Sequence, residues 1–247
     1  MFIHLDDAGQ LQHDNDCTVI ITGKNVLLEK SYENYKKLMA FKGENNQHFQ
    51  KYIPHAIEKI SSQELKVTFY ERAYSLNYVL QKFNDKLDQP HVNWILSRIM
   101  ELATWLNKID YVHCGLNLDS LYIIPRNHGL VCLSFYHMTP VNEKLSSISG
   151  RYVNLYPSYN LVTKLATPNI DIVSAKKTAL RLMGDKSYIG EVFNNDVHYN
   201  ENLIKYLRQE DHDTLNSYNT YRDILRAHYN TKQFHQLIIE ENDNRTA

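Results

Sequence analysis

A chain of 247 residues with 43% hydrophobic and 22% charged residues has the balance of an ordinary globular protein, in one domain or two tightly joined lobes, which excludes a disordered or fibrous class. Its formal net charge of -1, from 27 Lys+Arg against 28 Asp+Glu, supplies no overall attraction for nucleic acid or an anionic membrane, so neither is expected as a partner. Three cysteines, Cys17, Cys114 and Cys132, are too few and too irregularly spaced for a disulfide framework or a four-cysteine zinc site, and a reducing cytoplasm is the expected compartment.

Met1 to Gly9 carries two aspartates and no apolar core of signal-peptide length, so secretion is not expected. No run approaches the roughly 18 apolar residues that span a bilayer. Further along, the short β-type runs Cys17–Ile21 and Val26–Leu28 flank a Gly23-Lys24-Asn25 turn. A helix follows, with Ser31 as its cap and Tyr32, Tyr35, Leu38 and Met39 at the 3-to-4-residue spacing of one face. Two more strands are predicted at His55–Ile60 and Leu65–Tyr70, joined by Ser61-Ser62-Gln63. The pattern thus gives a small sheet with one helix.

From His91 to Ile109, Val92, Ile95, Leu96, Ile99, Ala103 and Leu106 form the apolar stripe of a long helix, while Trp94 and Trp105 lie outside it. Apolar residues on more than one face predict a helix buried on several sides, with the tryptophans as core residues. Leu121–Ile124 and Leu130–Phe135 read as a hairpin around Pro125-Arg126-Asn127-His128-Gly129. A polar loop fills Thr139–Leu155, and a second buried helix runs over Asn169–Met183, opened by Thr167-Pro168 and stopped by Gly184. A last helix is predicted over Asp211–Tyr229.

Between the long helix and the hairpin stands Tyr111-Val112-His113-Cys114-Gly115-Leu116-Asn117-Leu118-Asp119-Ser120-Leu121-Tyr122-Ile123. Leu133-Ser134-Phe135-Tyr136 follows the hairpin, and Tyr156-Pro157-Ser158 and Thr167-Pro168-Asn169-Ile170-Asp171-Ile172-Val173-Ser174 come later. In that order and spacing they resemble the catalytic loop, the Asp-Phe-Gly turn, the Ala-Pro-Glu end of the activation segment and the central helix of protein kinases. The likeness covers roughly residues 17 to 239 and is nearest to small degenerate kinase-like proteins of bacteria and their phages. Those tend to end in a helix followed by a Lys-Phe-His-type strand, similar to Tyr221–Arg226 and then Lys232-Gln233-Phe234-His235 here. The resemblance implies an α+β, bilobal fold, with a small β-sheet lobe plus one helix over residues 1–72 and a larger, mainly helical lobe over 73–247.

The same resemblance implies that the chemistry is gone. Gly115 falls where the catalytic base belongs, Ser120 replaces the magnesium-binding Asn, and Ser134 replaces the Asp that holds the phosphate-bridging metal. Glu29, after Val26-Leu27-Leu28, falls where a Val-Ala-Ile-Lys strand would carry its phosphate-binding lysine. No Gly-x-Gly-x-x-Gly occurs, and Lys24 and Lys30 read as solvated lysines. His113 and Asp171 keep structural roles, Asp171 by accepting backbone hydrogen bonds from the loop.

Twelve histidines appear without His-Glu-x-x-His or Cys-x-x-Cys spacing, so no metal site is expected. Ser134 with His137 lacks a third group for a nucleophile and base. Asp119 with Asn117 and Ser120 reads as a solvated loop edge rather than a cation site. Asn244-Arg245-Thr246 reads as a chance sequon. Eighteen tyrosines fit ordinary core and rim use, with some available to a partner surface. The expectation is a non-catalytic, regulatory pseudokinase that binds a protein partner and uses no cofactor, nucleotide or metal. The alternative is an atypical nucleotide-dependent transferase on the same fold.

Overall fold

A computed structural model describes residues 2–5, 7–43, 46–194, 196, 198–211, 213–229 and 235–239. Strands β1 (Phe2–Leu5), β2 (Gly9–Asn15) and β3 (Thr18–Gly23) lead into helix α1 (Asn25–Ala40). A short helix α2 (Asn46–Phe49) then precedes β4 (Ala56–Ser61) and β5 (Glu64–Thr68). The five strands form one antiparallel sheet in the order β1-β2-β3-β5-β4. Val19 and Ile21 of β3, with Leu65 and Val67 of β5, alternate inward and share a core with Leu28, Tyr35 and Leu38 of α1.

Two expectations are corrected here. Val26–Leu28 is not a strand: it lies in the first turn of α1, so Glu29 is a helical residue and not the end of a strand. The inward spacing Leu28, Ser31, Asn34, Tyr35, Leu38 sets a helical period that one β-branched residue does not overcome. Ser31 consequently lies inside the helix and not at its cap. The first two strands were not predicted, because β2 buries only Leu11 among polar neighbours and shows no alternation.

Strand β6 (Tyr74–Ser75) opens the helical part, and Ser75 caps α3 (Leu76–Lys82) by accepting the Tyr78 N–H at 3.2 Å. Helix α4 (Gln89–Lys108) follows, then β7 (Tyr111–Val112), the hairpin β8 (Leu121–Ile124) with β9 (Gly129–Cys132), and β10 (Thr139–Pro140). The second hairpin strand ends at Cys132 rather than Phe135, since Ser134 turns to a left-handed φ of 59° and Phe135–His137 coil as a 3₁₀ turn. Beyond them lie α5 (Ser158–Thr163), α6 (Asn169–Leu182), α7 (Glu201–Arg208) and α8 (Thr214–His228). Asn200 and Asp213 cap the last two, accepting from Leu203 and Asn216. Helix α8 therefore starts after Asp213, three residues later than predicted. Helices α3, α5 and α7 were not predicted. Each is at most eight residues long, too short to show a period.

The result is a mixed α+β chain in which α4 and α6 form the centre. Trp105 is buried and stacks on Phe49 with centroids 5.2 Å apart, and Trp94 stacks on His128 at 4.4 Å. One continuous buried cluster runs from Leu5 in the sheet to Leu237. Among the described residues no helix is long and apolar enough to cross a membrane. Lys232, Gln233, Phe234 and the sequon at Asn244 lie outside the described residues.

A lysine is buried within this core. Lys176 of α6 is 1% exposed, lies 3.9 Å above the Tyr206 ring and donates to the Gln209 carbonyl (3.0 Å) and the Asp211 carboxylate (2.5 Å) in the α7–α8 turn. Burial lowers its pKa against the pull of Asp211. Removing one partner strands the other charge, whereas removing the lysine charge strands nothing as deeply buried. Urea unfolding is expected to show Asp211→Ala less stable by about 2 kcal/mol, discounted for the part-exposed carboxylate, and Lys176→Met changed by less than about 1 kcal/mol.

Candidate functional site

Strand β7 delivers the chain to the loop His113–Ser120, and β8 takes it away. Beneath the loop, Asp171 in the first turn of α6 accepts the His113 N–H at 2.7 Å and the Cys114 N–H at 2.9 Å, the loop bonds anticipated for it. Burial pushes the Asp171 carboxyl up to about 7, while the two N–H donors pull it down. His113 is fully buried, reaches the Leu133 carbonyl through Nε2 at 2.9 Å and lies 5.9 Å from the Phe135 ring. Cys114 takes a left-handed φ of 60°, and its carbonyl accepts the Tyr156 hydroxyl, which also takes the Ser149 N–H at 3.2 Å.

Gly115 leaves no room for a side chain. A Cβ built there would lie 2.3 Å from Cδ2 of His137. The buried His137 imidazole fills that space and pairs through Nδ1 with Ser147 Oγ at 2.7 Å. Ser120 is fully buried and its hydroxyl is spent on the loop, donating to the Gly115 carbonyl at 2.6 Å and accepting the Asn117 N–H at 2.9 Å. Asn117 closes the same turn, its Oδ1 accepting from Asp119 and Ser120 N–H at 2.9 and 3.0 Å. Ser134 is 4% exposed, and its hydroxyl has no hydrogen-bond partner among the described residues.

Asp119 overturns the expectation of a solvated loop edge. It is fully buried, and its carboxylate accepts from Asn77 Nδ2 at 3.0 Å and from the Arg151 guanidinium at 2.9 Å. Tyr152 and Tyr188 stand close enough to feel it: burial raises the hydroxyl pKa of each, and the Asp119 charge adds to the rise. Among the described residues no group of three or more His, Cys, Asp or Glu is placed to hold a metal ion.

The sheet closes over this cluster. In the β1–β2 turn, the Asp7 N–H donates to the Tyr136 hydroxyl at 3.2 Å, and the Asp7 carboxylate accepts the Gly150 N–H at 2.9 Å. Helix α1 adds Asn34, whose Nδ2 donates to the Phe135 carbonyl at 2.8 Å, and Ser31, whose Oγ accepts the Tyr136 N–H at 3.1 Å. His113, Gly115, Ser120, Ser134 and Asp171 are therefore brought together, while Glu29 is not: it faces β4 and pairs with Lys59. Sequence reasoning missed Asp7, Ser31, Asn34, His137's packing role and Arg151. Their residue types match no motif, and their partners lie up to 143 residues away.

Two outcomes follow from this packing. Gly115→Ala is expected to lower stability by about 2 kcal/mol through the clash with His137, and most of that loss should vanish in a His137→Ala background when both are unfolded in urea. For Asp171, the native state holds a proton between about pH 4 and pH 7 that the unfolded chain has released, so stability falls as pH rises across that window. Comparing melting curves of the wild type and Asp171→Asn should show a loss of about 2 kcal/mol from pH 5 to pH 8 in the wild type that the variant lacks.

No protein-family model matches the chain, and neither does any curated protein.

Proposed function

We propose that the chain is a protein-kinase-like protein inactive in phosphoryl transfer, a pseudokinase that works by binding another protein. In this reading the five-stranded sheet with α1 is the small lobe and the helical part from β6 onward is the larger one. Support comes from the connectivity: a loop between β7 and β8, a hairpin, a turn at Ser134-Phe135, the return of β10 to pair with β7, and the Asp171 tether from α6. These stand in the order that the loop, metal-binding turn and central helix have in kinases.

The observation that carries the inactive assignment is the His137 ring against Gly115. Kinase chemistry needs a carboxylate there to take the substrate proton, and two further ligands to hold magnesium against the phosphates. Here the base position has neither a side chain nor room for one, and the Ser120 hydroxyl is turned into the loop. The strand that precedes the helix, where kinases carry the phosphate-binding lysine, is β3, and Thr18-Val19-Ile20-Ile21-Thr22-Gly23 contains no lysine. The hydrogen bonds of Asp7 to Tyr136 and Gly150 tie the β1–β2 turn to the turn after Ser134 and to the segment before α5.

Thermal denaturation with millimolar ATP and magnesium or manganese tests the reading, since a ligand that binds only the native state raises the melting temperature once it exceeds its dissociation constant. No shift is expected, and no labelled product with a panel of protein acceptors. A shift of several degrees, or transfer absent from Gly115→Ala, would sink it in favour of a nucleotide-dependent transferase.

A further inference from the structure

Arg151 and Asp119 make an unequal pair. The carboxylate side chain is 0% exposed, whereas the arginine side chain that neutralises it is 48% exposed. Arg151 therefore enters from the solvent side and fills the mouth of a recess whose floor is Asp119. The floor is rigid, because the Asp119 N–H is held by Asn117 and its other carboxylate oxygen by Asn77. Tyr152 forms an aromatic wall with its ring 5.6 Å from the guanidinium carbon, and the charge of Arg151 is also felt at Tyr188. A carboxylate beside aromatic rings is the chemistry that recognises a planar cation, which donates hydrogen bonds from its edge and stacks on its face.

The residue filling the recess belongs to a stretch with little regular structure, the segment between β10 and α5, whose one helical turn is the 3₁₀ turn at Val153–Leu155. At its neighbour, Gly150, that stretch is fastened to the sheet through the Asp7 carboxylate. Withdrawing Arg151 alone would leave a buried carboxylate without its counter-charge, which is strongly unfavourable. The segment is thus held by the Arg151–Asp119 ion pair and the Gly150–Asp7 hydrogen bond.

We propose that Asp119, Asn77 and Tyr152 form a guanidinium-binding site that Arg151 occupies from within the chain, and that an arginine on an extended segment of a partner protein takes its place. The segment around Gly150-Arg151 then acts as a strap that a basic partner displaces, releasing the β1–β2 turn. Arginine fits better than lysine because its fork can meet the carboxylate edge while its plane lies on a tyrosine ring. This deepens the interaction reading above and rests on it for the kind of partner, but not on the nucleotide result. ATP binding would remove the inactive-site reading and leave the peptide test below standing.

The test uses the full chain and a fluorescein-labelled Gly-Arg-Gly amide, with the citrulline peptide as its uncharged counterpart, read by anisotropy. Removing the internal competitor should strengthen binding, so Arg151→Gln is expected to hold the arginine peptide at least about ten-fold more tightly than the wild type does. The citrulline peptide and the Arg151→Gln/Asp119→Asn double variant should show no binding. Equal affinity in wild type and Arg151→Gln, binding that survives in the double variant, or no binding to either protein overturns the proposal. Where Arg151→Gln does not fold, hydrogen exchange on the wild type decides. The Gly150 amide should exchange several-fold faster with the arginine peptide at millimolar concentration and not with citrulline, and an unchanged rate overturns the proposal.

Discussion

Two backbone N–H groups, those of His113 and Cys114, point at one buried carboxylate, and the loop that follows takes its path from that meeting. Asp171 sits on a helix buried along nearly its whole length, so the anchor is as rigid as the core itself. A carboxylate in such a place is unfavourable unless donors meet it, and the two donors here are backbone groups that would otherwise be left unsatisfied. Each side of the contact therefore requires the other. With His113 and Cys114 fixed, the left-handed turn at Cys114 presents its carbonyl to Tyr156, and His113 reaches across to Leu133 just before the second left-handed turn at Ser134. Strain of order 1 kcal/mol at each of those turns is tolerated because several hydrogen bonds determine the same backbone path.

What the loop does with its polar groups separates scaffold from chemistry. A site that acts on a ligand keeps acceptors and donors aimed at a space the ligand will occupy. In this loop Asn117 and Ser120 bond to the backbone of their own turn, His137 occupies the space beside Gly115, and Asp119 is held by Arg151 and Asn77. The hydrogen-bonding capacity of these groups is directed inward, which makes the loop stiff.

Much of the architecture was legible from residue types. The long helix at α4, the β4–β5 and β8–β9 hairpins and the limits of α6 follow from apolar spacing and from Pro and Gly at the boundaries, and the structure places them within a few residues. Local signals failed where tertiary contact decides. β2 shows no alternation because only Leu11 faces inward, and Val26–Leu28 joined a helix because the spacing of later residues outweighed it. The loop residues were singled out by their order along the chain. Arg151 and Asp7 were not, because their meaning lies entirely in which distant group they touch.

The same distinction bears on how the sheet and the helical part are coupled. Asp7 binds Gly150, the next residue binds Asp119, and Asp119 lies one residue before Ser120 in the loop that Asp171 anchors. Asn34 and Ser31 bind α1 to the Phe135–Met138 turn in parallel, so the two parts are joined by two sets of bonds that meet at Tyr136. The Asn34 and Ser31 set is made by a helix and is neutral, whereas the Asp7 and Arg151 set depends on charges and on a stretch with little regular structure. Of the two, the charged set is the one whose strength depends on the ions in solution.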